Sequence, residues 1–313
     1  MKKTLIILIV VVVALLGVSL SACGGNAPLQ STLQEYTPWV RNVGGALITE
    51  TSVFDVTANV GSKQEKGVYT VVVQRYQGTT ATVVDKTVEN FNGYSATSRL
   101  KMDNGDYQNT DVLFTTNLQV EYSVFESKTG DNYSKRVSNY DKKKCLYTLC
   151  ADEANPQNVT NGTIKYSEYK KSPYYDNAMI YLVARCFPTT SATYSYQIPN
   201  YENDKLNKVV MSAESVKQQV DFANGQKTSC RVINIAYNRT FPGAGAPLKC
   251  YISEYEMNGE NVITPPKEEE KPTPAAAALA ESKQINSYQA IAKIVEGNVT
   301  YLLKSITSIL NEK

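Results

Sequence analysis

Short apolar runs rich in Val, Ile, Thr and Tyr recur along the chain from Ala46 onward, with turn residues between them. Runs of this length and composition are typical of β-strands. Val68 to Val73 is apolar on both of its faces, which is the pattern of a central strand. Leu118 to Val124 alternates apolar with polar positions, as a strand with one wet face does. The pattern therefore predicts a mainly β chain.

Asn-Gly pairs separate several of these runs. Both residues tolerate the positive φ of a tight hairpin turn, so a pair between two strand-like runs predicts an antiparallel hairpin. Asn104-Gly105 and Asn224-Gly225 have this setting. Three further pairs are also predicted to form turns: Asn92-Gly93, Asn161-Gly162 and Asn258-Gly259.

One segment has helical instead of alternating spacing. Asp176 is a suitable N-cap, and Pro188 ends the pattern. Between them, apolar residues fall on one helical face. A single amphipathic helix among many strands is expected to lie over the sheet and cover apolar surface. The residues on its apolar face are Met179, Leu182, Val183 and Cys186.

The C-terminal part contains a segment of different composition. Thr264 to Ser282 is rich in Pro, Ala and charged residues and cannot bury apolar surface, so it predicts a disordered insertion or a short exposed helix. Two strand-like runs follow, Ala290 to Val295 and Val299 to Ile306. We expect this hairpin to return to the main sheet. One β-rich domain over residues 36–308 is therefore favoured over two domains joined by a linker.

The N-terminus has the three parts of a secretory signal peptide. Lys2 and Lys3 are followed by an unbroken apolar run from Leu5 to Leu16, and small residues then lead to Cys23. The run is shorter than the roughly 20 apolar residues that a membrane-spanning helix needs. Residues 1–22 are therefore predicted to be a cleaved signal peptide.

The stretch Leu20-Ser21-Ala22-Cys23 resembles the bacterial lipobox. This resemblance implies that the Cys23 thiol receives a diacylglycerol and that the signal peptidase cuts just before it. Two or three acyl chains, such as palmitate, hold a protein stably on a membrane. The resemblance thus implies an extracytoplasmic lipoprotein tethered by residues 23–35. The alternative is an ordinary signal peptide with a chance cysteine.

Charge and length limit the classes of partner. The chain has 32 basic and 30 acidic residues, and loss of Lys2 and Lys3 leaves 30 of each over the 291 residues that begin at Cys23 (313 minus 22). A nucleic-acid-binding protein needs a strongly basic face, so no nucleic-acid partner is expected. The remaining length is ample for one large β domain.

Five cysteines remain beyond Cys23. An odd number cannot all pair, so at least one is a thiol or an intermolecular partner. Cys145 and Cys150 are close enough in sequence for a small disulfide loop, and Cys230 and Cys250 lie on two predicted strands that could also be bridged. Alternatively, several of the five, including Cys186, are small buried apolar residues.

Catalytic and metal-binding patterns are absent from the sequence. The chain has no His, which excludes Ser-His-Asp and Cys-His arrangements, and no C-x-x-C spacing for zinc. Asp103, Asp106 and Asp111 cluster near a turn, but they lack the Glu that closes a calcium loop, and Asp is common in turns. We therefore predict a non-catalytic protein with no cofactor and no metal.

The order of elements resembles the half-barrel lipoproteins of the lipoprotein-carrier type and related periplasmic domains of unknown function. The resemblance implies a strongly curved antiparallel sheet with a helix over its concave apolar side. It also implies an apolar ligand, such as a lipid, and it transfers no binding residue. The stretches that carry it are Glu50 to Val56, Gly67 to Val73, Tyr175 to Arg185 and Ile294 to Leu303.

Two functions from different classes follow. The first is a binding protein with an apolar groove, for which we expect the segment Met179 to Val183 as a lid. The second is an interaction module of the cell envelope with a filled core and an envelope protein as its partner. An enzyme ranks third, since no pair of acids is singled out. The strands expected to line the groove, or alternatively to form the packed core, are Val68 to Val73, Leu118 to Val124 and Val232 to Tyr237.

Overall fold

The computed structural model describes residues 47–166, 174–187, 193–223, 225–237, 248–253, 257–258, 262–263 and 290–310. The signal peptide, Cys23, the tether and the insertion 264–282 lie outside these ranges, so what the sequence predicts for them stays a prediction. Within the described ranges, no helix has the length and apolar character needed to cross a membrane.

The N-terminal half is a meander in which each strand pairs antiparallel with the next along the chain. Successive strands are joined by short connections, which is the expected outcome where turn residues separate alternating runs. The eight strands are β1 (Leu47–Val60), β2 (Lys63–Val83), β3 (Lys86–Met102), β4 (Tyr107–Thr115), β5 (Val120–Thr129), β6 (Asn132–Tyr140), β7 (Lys144–Cys150) and β8 (Val159–Lys165).

The described residues of the C-terminal half form a short helical segment and nine more strands. The helical segment is a 3-10 turn at Asn177–Met179 followed by helix α1 at Ile180–Arg185. The strands are β9 (Thr193–Asn200), β10 (Lys205–Ala213), β11 (Gln218–Asp221), β12 (Lys227–Tyr237), β13 (Leu248–Ser253), β14 (Met257–Asn258), β15 (Val262–Ile263), β16 (Ile291–Glu296) and β17 (Val299–Leu310).

Fifteen of these strands form one antiparallel sheet that nearly closes into a barrel. The closing hairpin joins the two halves, because β17 pairs with β1 and β16 pairs with β13. β8 and β9 stand at the two ends of the strand order, β11 pairs with β12 off the main path, and β14 and β15 form a separate small ladder. The predicted fold class, a large curved antiparallel sheet with one covering helix, is confirmed.

The main core lies on the concave side of the sheet and includes the helical segment. Asp176 caps this segment by accepting a hydrogen bond from the Ala178 amide at 2.8 Å, as the sequence predicted. Met179, Leu182 and Val183 are buried against strands from both halves of the chain. The helical segment therefore fills the concave side, where the sequence predicted a cover.

Two smaller apolar clusters lie on the convex face. One joins the far end of the β2–β3 hairpin to β4 and β5, with Ala81 and Phe91 packed against Leu113 and Tyr122. The hairpin changes register twice near Gly78, whose φ is +64°, and such bulges bend a strand pair. The second cluster joins β11, β12, β13 and β16.

Leu118 to Val124 departs from the predicted strand with one wet face. A register shift opposite Phe114 separates Val120, which packs in the main core, from Tyr122, which packs in the convex cluster. Ser123 therefore points to the concave side and is buried there. Leu118 itself lies in the preceding turn at φ +61°. The prediction was wrong because a bulge moved the apolar alternation to the other face.

The Asn-Gly pairs divide into two groups. Those ending in Gly105 and Gly225 form hairpin turns with positive φ, as predicted. Gly93 and Gly162 instead lie inside β3 and β8, so the turns predicted there were wrong. A Cβ at Gly93 would collide with the Phe114 carbonyl oxygen, and one at Gly162 would collide with the Tyr147 ring. Glycine stands at both positions because a neighbouring strand comes close. Of the pair Asn258-Gly259, Asn258 ends β14, and Gly259 is outside the described residues.

The five cysteines beyond Cys23 are buried, and strand geometry keeps the suggested pairs apart. Cys145 and Cys150 lie five residues apart on β7, so their side chains point to opposite faces of the sheet. Cys230 on β12 pairs in register with Ser253 on β13. Cys250 is three residues from Ser253, so the Cys230 and Cys250 thiols also point to opposite faces of the sheet. Neither pair can form a disulfide, and the alternative of buried apolar cysteines fits this arrangement.

Candidate functional site inside the curved sheet

The first strand places two polar residues on the concave face. Glu50, Ser52, Phe54 and Val56 follow each other at every second position of β1 and are all buried. Residues at this spacing share one face of a strand. An acid and a hydroxyl therefore continue the same buried row as the apolar pair Phe54 and Val56.

A cavity lies between this row and the helical segment. Its floor is formed by inward-facing residues of β1, β2, β3, β4 and β16, and its roof by the helical segment. Most of the lining is apolar, with Phe54, Tyr69 and Val71 on the floor and Leu182 on the roof. The volume open to the centre of a water-sized sphere is about 30 Å³. A single buried water needs roughly 10–15 Å³ by this measure, so the cavity is narrow.

A buried ion pair stands at one end of the cavity. Arg185, the last residue of α1, donates from Nη1 to Glu50 Oε1 at 2.5 Å and from Nη2 to Glu50 Oε2 at 3.0 Å. The side chains are only 4% and 3% exposed. A bidentate pair satisfies both charges in this low-dielectric setting. The contact fixes the C-terminal end of α1 to β1.

Three further polar groups of the lining, on Ser98, Thr110 and Tyr181, are also hydrogen-bonded. The Ser98 and Thr110 hydroxyls form a short buried hydrogen bond between β3 and β4. Burial raises the pKa of Tyr69, on the floor, to about 12, so this phenol is neutral at physiological pH. Tyr181, on the roof, donates to Glu296 Oε2 at 2.9 Å. The cavity therefore presents neutral or internally neutralised groups.

The other end of the helical segment is fixed by a second carboxylate, which is completely buried. Asp176 Oδ2 accepts hydrogen bonds from Ser123 Oγ at 2.6 Å, Tyr140 Oη at 2.5 Å and Tyr201 Oη at 3.3 Å. Arg136 Nη2 lies 3.8 Å from Oδ1, and the Arg136 guanidinium stacks 4.0 Å above the Tyr201 ring. We call these five residues the Asp176 cluster.

The Asp176 cluster lies where the two ends of the sheet meet. Ser123, Arg136 and Tyr140 come from β5 and β6, whereas Tyr201 follows β9. Tyr147 on β7 extends the contact by donating to the Tyr201 carbonyl at 3.2 Å. In the described part of the chain, β8 and β9 share no backbone ladder. Side chains around one carboxylate therefore connect the two ends of the sheet, beside the Tyr174 backbone, which forms a bridge to Gln197 of β9.

The groove predicted from sequence is only partly the cavity that is observed. Val71 and Val73 line the floor and Leu182 the roof, as expected. Neither Leu118 to Val124 nor Val232 to Tyr237 contributes, and several residues of these two segments are buried in the apolar clusters.

Sequence reasoning also missed the ion pair. One signal was available, since Glu50 is in phase with Phe54 and Val56, and an acid on an apolar face needs a partner. Arg185 likewise falls at helical spacing from Ala178 and Tyr181, on the face that meets the cavity.

The aspartates considered for calcium do not converge. Asp111 accepts two hydrogen bonds from Arg99 Nη2, at 2.7 Å and 2.9 Å. Asp106 Oδ1 accepts from the Gly130 amide of a neighbouring hairpin at 2.8 Å, and the Asp106 amide donates to Asn104 Oδ1 at 2.9 Å, which is turn chemistry. Across the described ranges, no three His, Cys, Asp or Glu side chains are placed to hold a metal ion.

Comparisons with known proteins give one structural likeness. No protein-family model matches the chain, and no curated protein matches it. Among solved structures, the chain is similar to a β-barrel-like protein of the domain of unknown function DUF1849 from Brucella abortus. The two are 11% identical, the match covers 85% of this chain and 99% of that one, and the TM-score is 0.45. The barrel-like arrangement described above rests on this chain's own strand pairing.

Proposed function

We propose that this chain is a non-catalytic binding protein of the cell envelope, held on a membrane by lipid on Cys23, that takes an apolar ligand on the concave side of its sheet. The observation that supports the ligand site is the mainly apolar cavity between α1 and the strands. The lipobox-like stretch before Cys23 supports the anchor.

The polar groups of the cavity favour an uncharged ligand. Glu50 and Arg185 neutralise each other through two hydrogen bonds, and a charged ligand would have to break that pair. Breaking a buried pair leaves one charge uncompensated and costs about 3–5 kcal/mol. An apolar ligand leaves the pair intact and adds contacts with Phe54, Val71 and their neighbours.

The narrow volume defines how such a ligand binds. About 30 Å³ accepts no acyl chain while α1 stays in place. The apolar face of α1 already occupies the concave side, so a larger ligand replaces part of that face instead of filling empty space. In this proposal α1 is the lid, and binding opens it.

The same narrow volume favours a second function. A concave side that is filled by its own helix is what an interaction module with a packed core requires. Such a module binds an envelope protein through its outer surface and retains no small molecule. Function resides in the site and not in the fold, so an experiment on the concave side separates the two.

Native mass spectrometry tests the ligand site directly. The chain from residue 24 onward keeps every described residue and lacks the proposed acylation site, so it is purified without detergent. We expect an extra mass that organic extraction removes. Val71→Trp fills the cavity and should abolish this mass. Val72→Trp, one residue along β2 on the opposite face, is the matched control and should keep it.

The outcomes divide the two functions. Loss of the mass in the Val71 variant alone supports the apolar site. If the unmodified chain is fully folded and shows no extra mass, the apolar ligand site is contradicted and the interaction module remains. The anchor is tested separately, since Cys23→Ala should abolish acylation and membrane retention; an acylated Cys23→Ala protein would disprove the lipoprotein assignment.

A further inference from the structure

One arginine on the concave face has unused hydrogen-bond donors. Arg75 follows Val71 and Val73 at every second position of β2, so its side chain continues their row on the concave face. Its register partner on β3 is Tyr94, which is completely buried in the main core. Arg75 is half-buried, and its Nε and Nη1 atoms are enclosed without a hydrogen-bond partner among the described residues.

Burial makes this unpaired state unfavourable. An enclosed donor has lost its hydrogen bonds to water, and the loss is greater for a charged group than for a neutral one. The guanidinium is also close to the Tyr94 phenol: burial raises the pKa of Tyr94 to about 12, and the Arg75 charge opposes that rise. Buried donors without an acceptor indicate that an ion or ligand supplies one.

Arg185, which lies in the same region, is by contrast fully paired. Both of its hydrogen bonds go to the Glu50 carboxylate and use both carboxylate oxygens. Glu50 is the register partner of Val73, two residues before Arg75 on β2, yet no ion pair joins Glu50 to Arg75 in the part of the chain that the structure describes. The two arginines and Glu50 therefore carry one more positive than negative charge, which a singly charged anion would balance.

The interior cavity ends just before Arg75. Val73 on β2 and Ala96 on β3 are register partners and both line the floor of the cavity. Arg75 and Tyr94 form the next pair on this face, about 7 Å further along the strands, and neither belongs to the lining. A ligand in the cavity can therefore place one end at Arg75 and leave the buried ion pair intact.

We propose that Arg75 binds the carboxylate of a fatty acid whose hydrocarbon chain occupies the concave cavity. This inference rests on the proposed function and names its ligand class. The chain is the uncharged part that the cavity favours, and the carboxylate is the single charge that lies beyond it. A guanidinium binds a carboxylate through two parallel, charge-assisted hydrogen bonds. The hydrocarbon chain adds the burial of apolar surface against Val71 and its neighbours, which a free anion lacks.

Calorimetric titration of the purified full chain with laurate and with dodecanol tests the proposal. The two probes have the same number of carbon atoms, and only laurate is charged. We expect laurate to bind roughly tenfold more tightly than dodecanol. Arg75→Met should remove this preference and change dodecanol affinity by less than about twofold. Val71→Trp fills the cavity and should abolish the binding of both probes.

Lys66→Met is the matched control for Arg75→Met. It removes one positive charge from an exposed position of the same strand, outside the cavity, and should leave laurate affinity unchanged. Thermal unfolding gives a second measurement. Because Arg75→Met removes an unpaired, partly buried charge, its midpoint without ligand should be at least as high as that of the unmodified chain. Laurate should raise the midpoint of the unmodified chain more than that of the variant.

The outcomes separate this inference from the proposed function. If laurate and dodecanol bind equally, or if Arg75→Met keeps the preference for laurate, the inference is wrong and the apolar site stands. If neither probe binds, the proposed function fails with it. Acetate that binds as tightly as laurate would show an anion site independent of the cavity and would overturn the inference. A lower midpoint for ligand-free Arg75→Met would also contradict it, because the arginine would then stabilise the fold without a ligand.

Discussion

The two ends of the helical segment are both fixed by buried carboxylates, but with different partners. At the C-terminal end, Glu50 binds Arg185 through two hydrogen bonds of 2.5 Å and 3.0 Å. At the N-terminal end, Asp176 accepts from hydroxyls and one backbone amide, and its nearest guanidinium, Arg136, is 3.8 Å away. One end is a tight ion pair, and the other is a hydroxyl network.

This difference separates two tasks. The ion pair joins α1 to a single strand, β1, and its free energy is concentrated in one contact. The Asp176 cluster joins β5, β6 and the residue after β9 and so connects the two ends of the sheet through several weaker contacts. We therefore expect loss of one partner to be severe at Glu50 and graded at Asp176.

The largest effect is expected for Arg185→Leu. The change leaves the Glu50 carboxylate buried without its guanidinium, and breaking a buried pair in this way costs about 3–5 kcal/mol. Urea denaturation should show the midpoint falling while the slope stays constant.

The double variant Glu50→Leu with Arg185→Leu is the control for that change. Two apolar side chains replace the pair, which is often neutral or stabilising, so most of the lost free energy of unfolding should return. If the single and double variants lose the same amount, the ion pair does not hold the C-terminal end of α1.

Asp176→Asn should have a smaller effect, about 2 kcal/mol. The amide oxygen keeps the helix cap, since Asn and Asp cap equally well. The variant loses the charge that faces Arg136, and an amide nitrogen replaces Oδ2, the acceptor of all three hydroxyl hydrogen bonds. The same urea denaturation measures it. A loss as large as that of Arg185→Leu would contradict the contrast between the two ends.

The sequence alone predicts part of this contrast. Asp176 is recognisable as a cap because the residues after it have helical spacing, and the helix, the hairpins at Gly105 and Gly225 and the closing hairpin all follow from local patterns. The partners Ser123 and Tyr140 are 53 and 36 residues from Asp176, and Glu50 is 135 residues from Arg185. These contacts depend on how the sheet curves and closes.

Register is the reason that the remaining predictions failed. A single bulge opposite Phe114 turned Ser123 inward, and strand proximity placed Gly93 and Gly162 inside strands where turns were expected. One extra residue turns every following side chain to the opposite face of the sheet. The local sequence pattern does not show where that extra residue falls.

Removal of single tyrosine hydroxyl groups should rank the hydrogen bonds of the Asp176 cluster by their contribution to stability. Tyr140→Phe removes the 2.5 Å hydrogen bond to Asp176 and should cost about 1.5 kcal/mol. Tyr201→Phe removes the 3.3 Å bond to Asp176 and the acceptor of the Ser138 hydroxyl at 3.2 Å, but it keeps the ring under Arg136, so about 1 kcal/mol is expected. Thermal unfolding of both variants, with Tyr133→Phe outside the cluster as control, measures the order. Equal losses from Tyr140 and Tyr201 would show that distance does not rank these bonds.

Alkaline pH should have the smallest effect on the Asp176 end, through Tyr140 and Tyr201, and it acts on other buried tyrosines such as Tyr69 as well. Burial first, then the Asp176 charge, raises the pKa of Tyr140 well above its ordinary value of 10 and also raises that of Tyr201. The unfolded tyrosines lose their protons near pH 10, before the folded ones, so their contribution is complete below pH 10 and is lost as pH rises towards the folded pKa. The free energy of unfolding should fall above pH 10. Tyr140→Phe should reduce the slope of this fall by an amount that corresponds to less than one proton per molecule. The Glu50→Leu/Arg185→Leu variant should keep the original slope, and if it flattens the slope instead, the alkaline sensitivity does not belong to the Asp176 cluster.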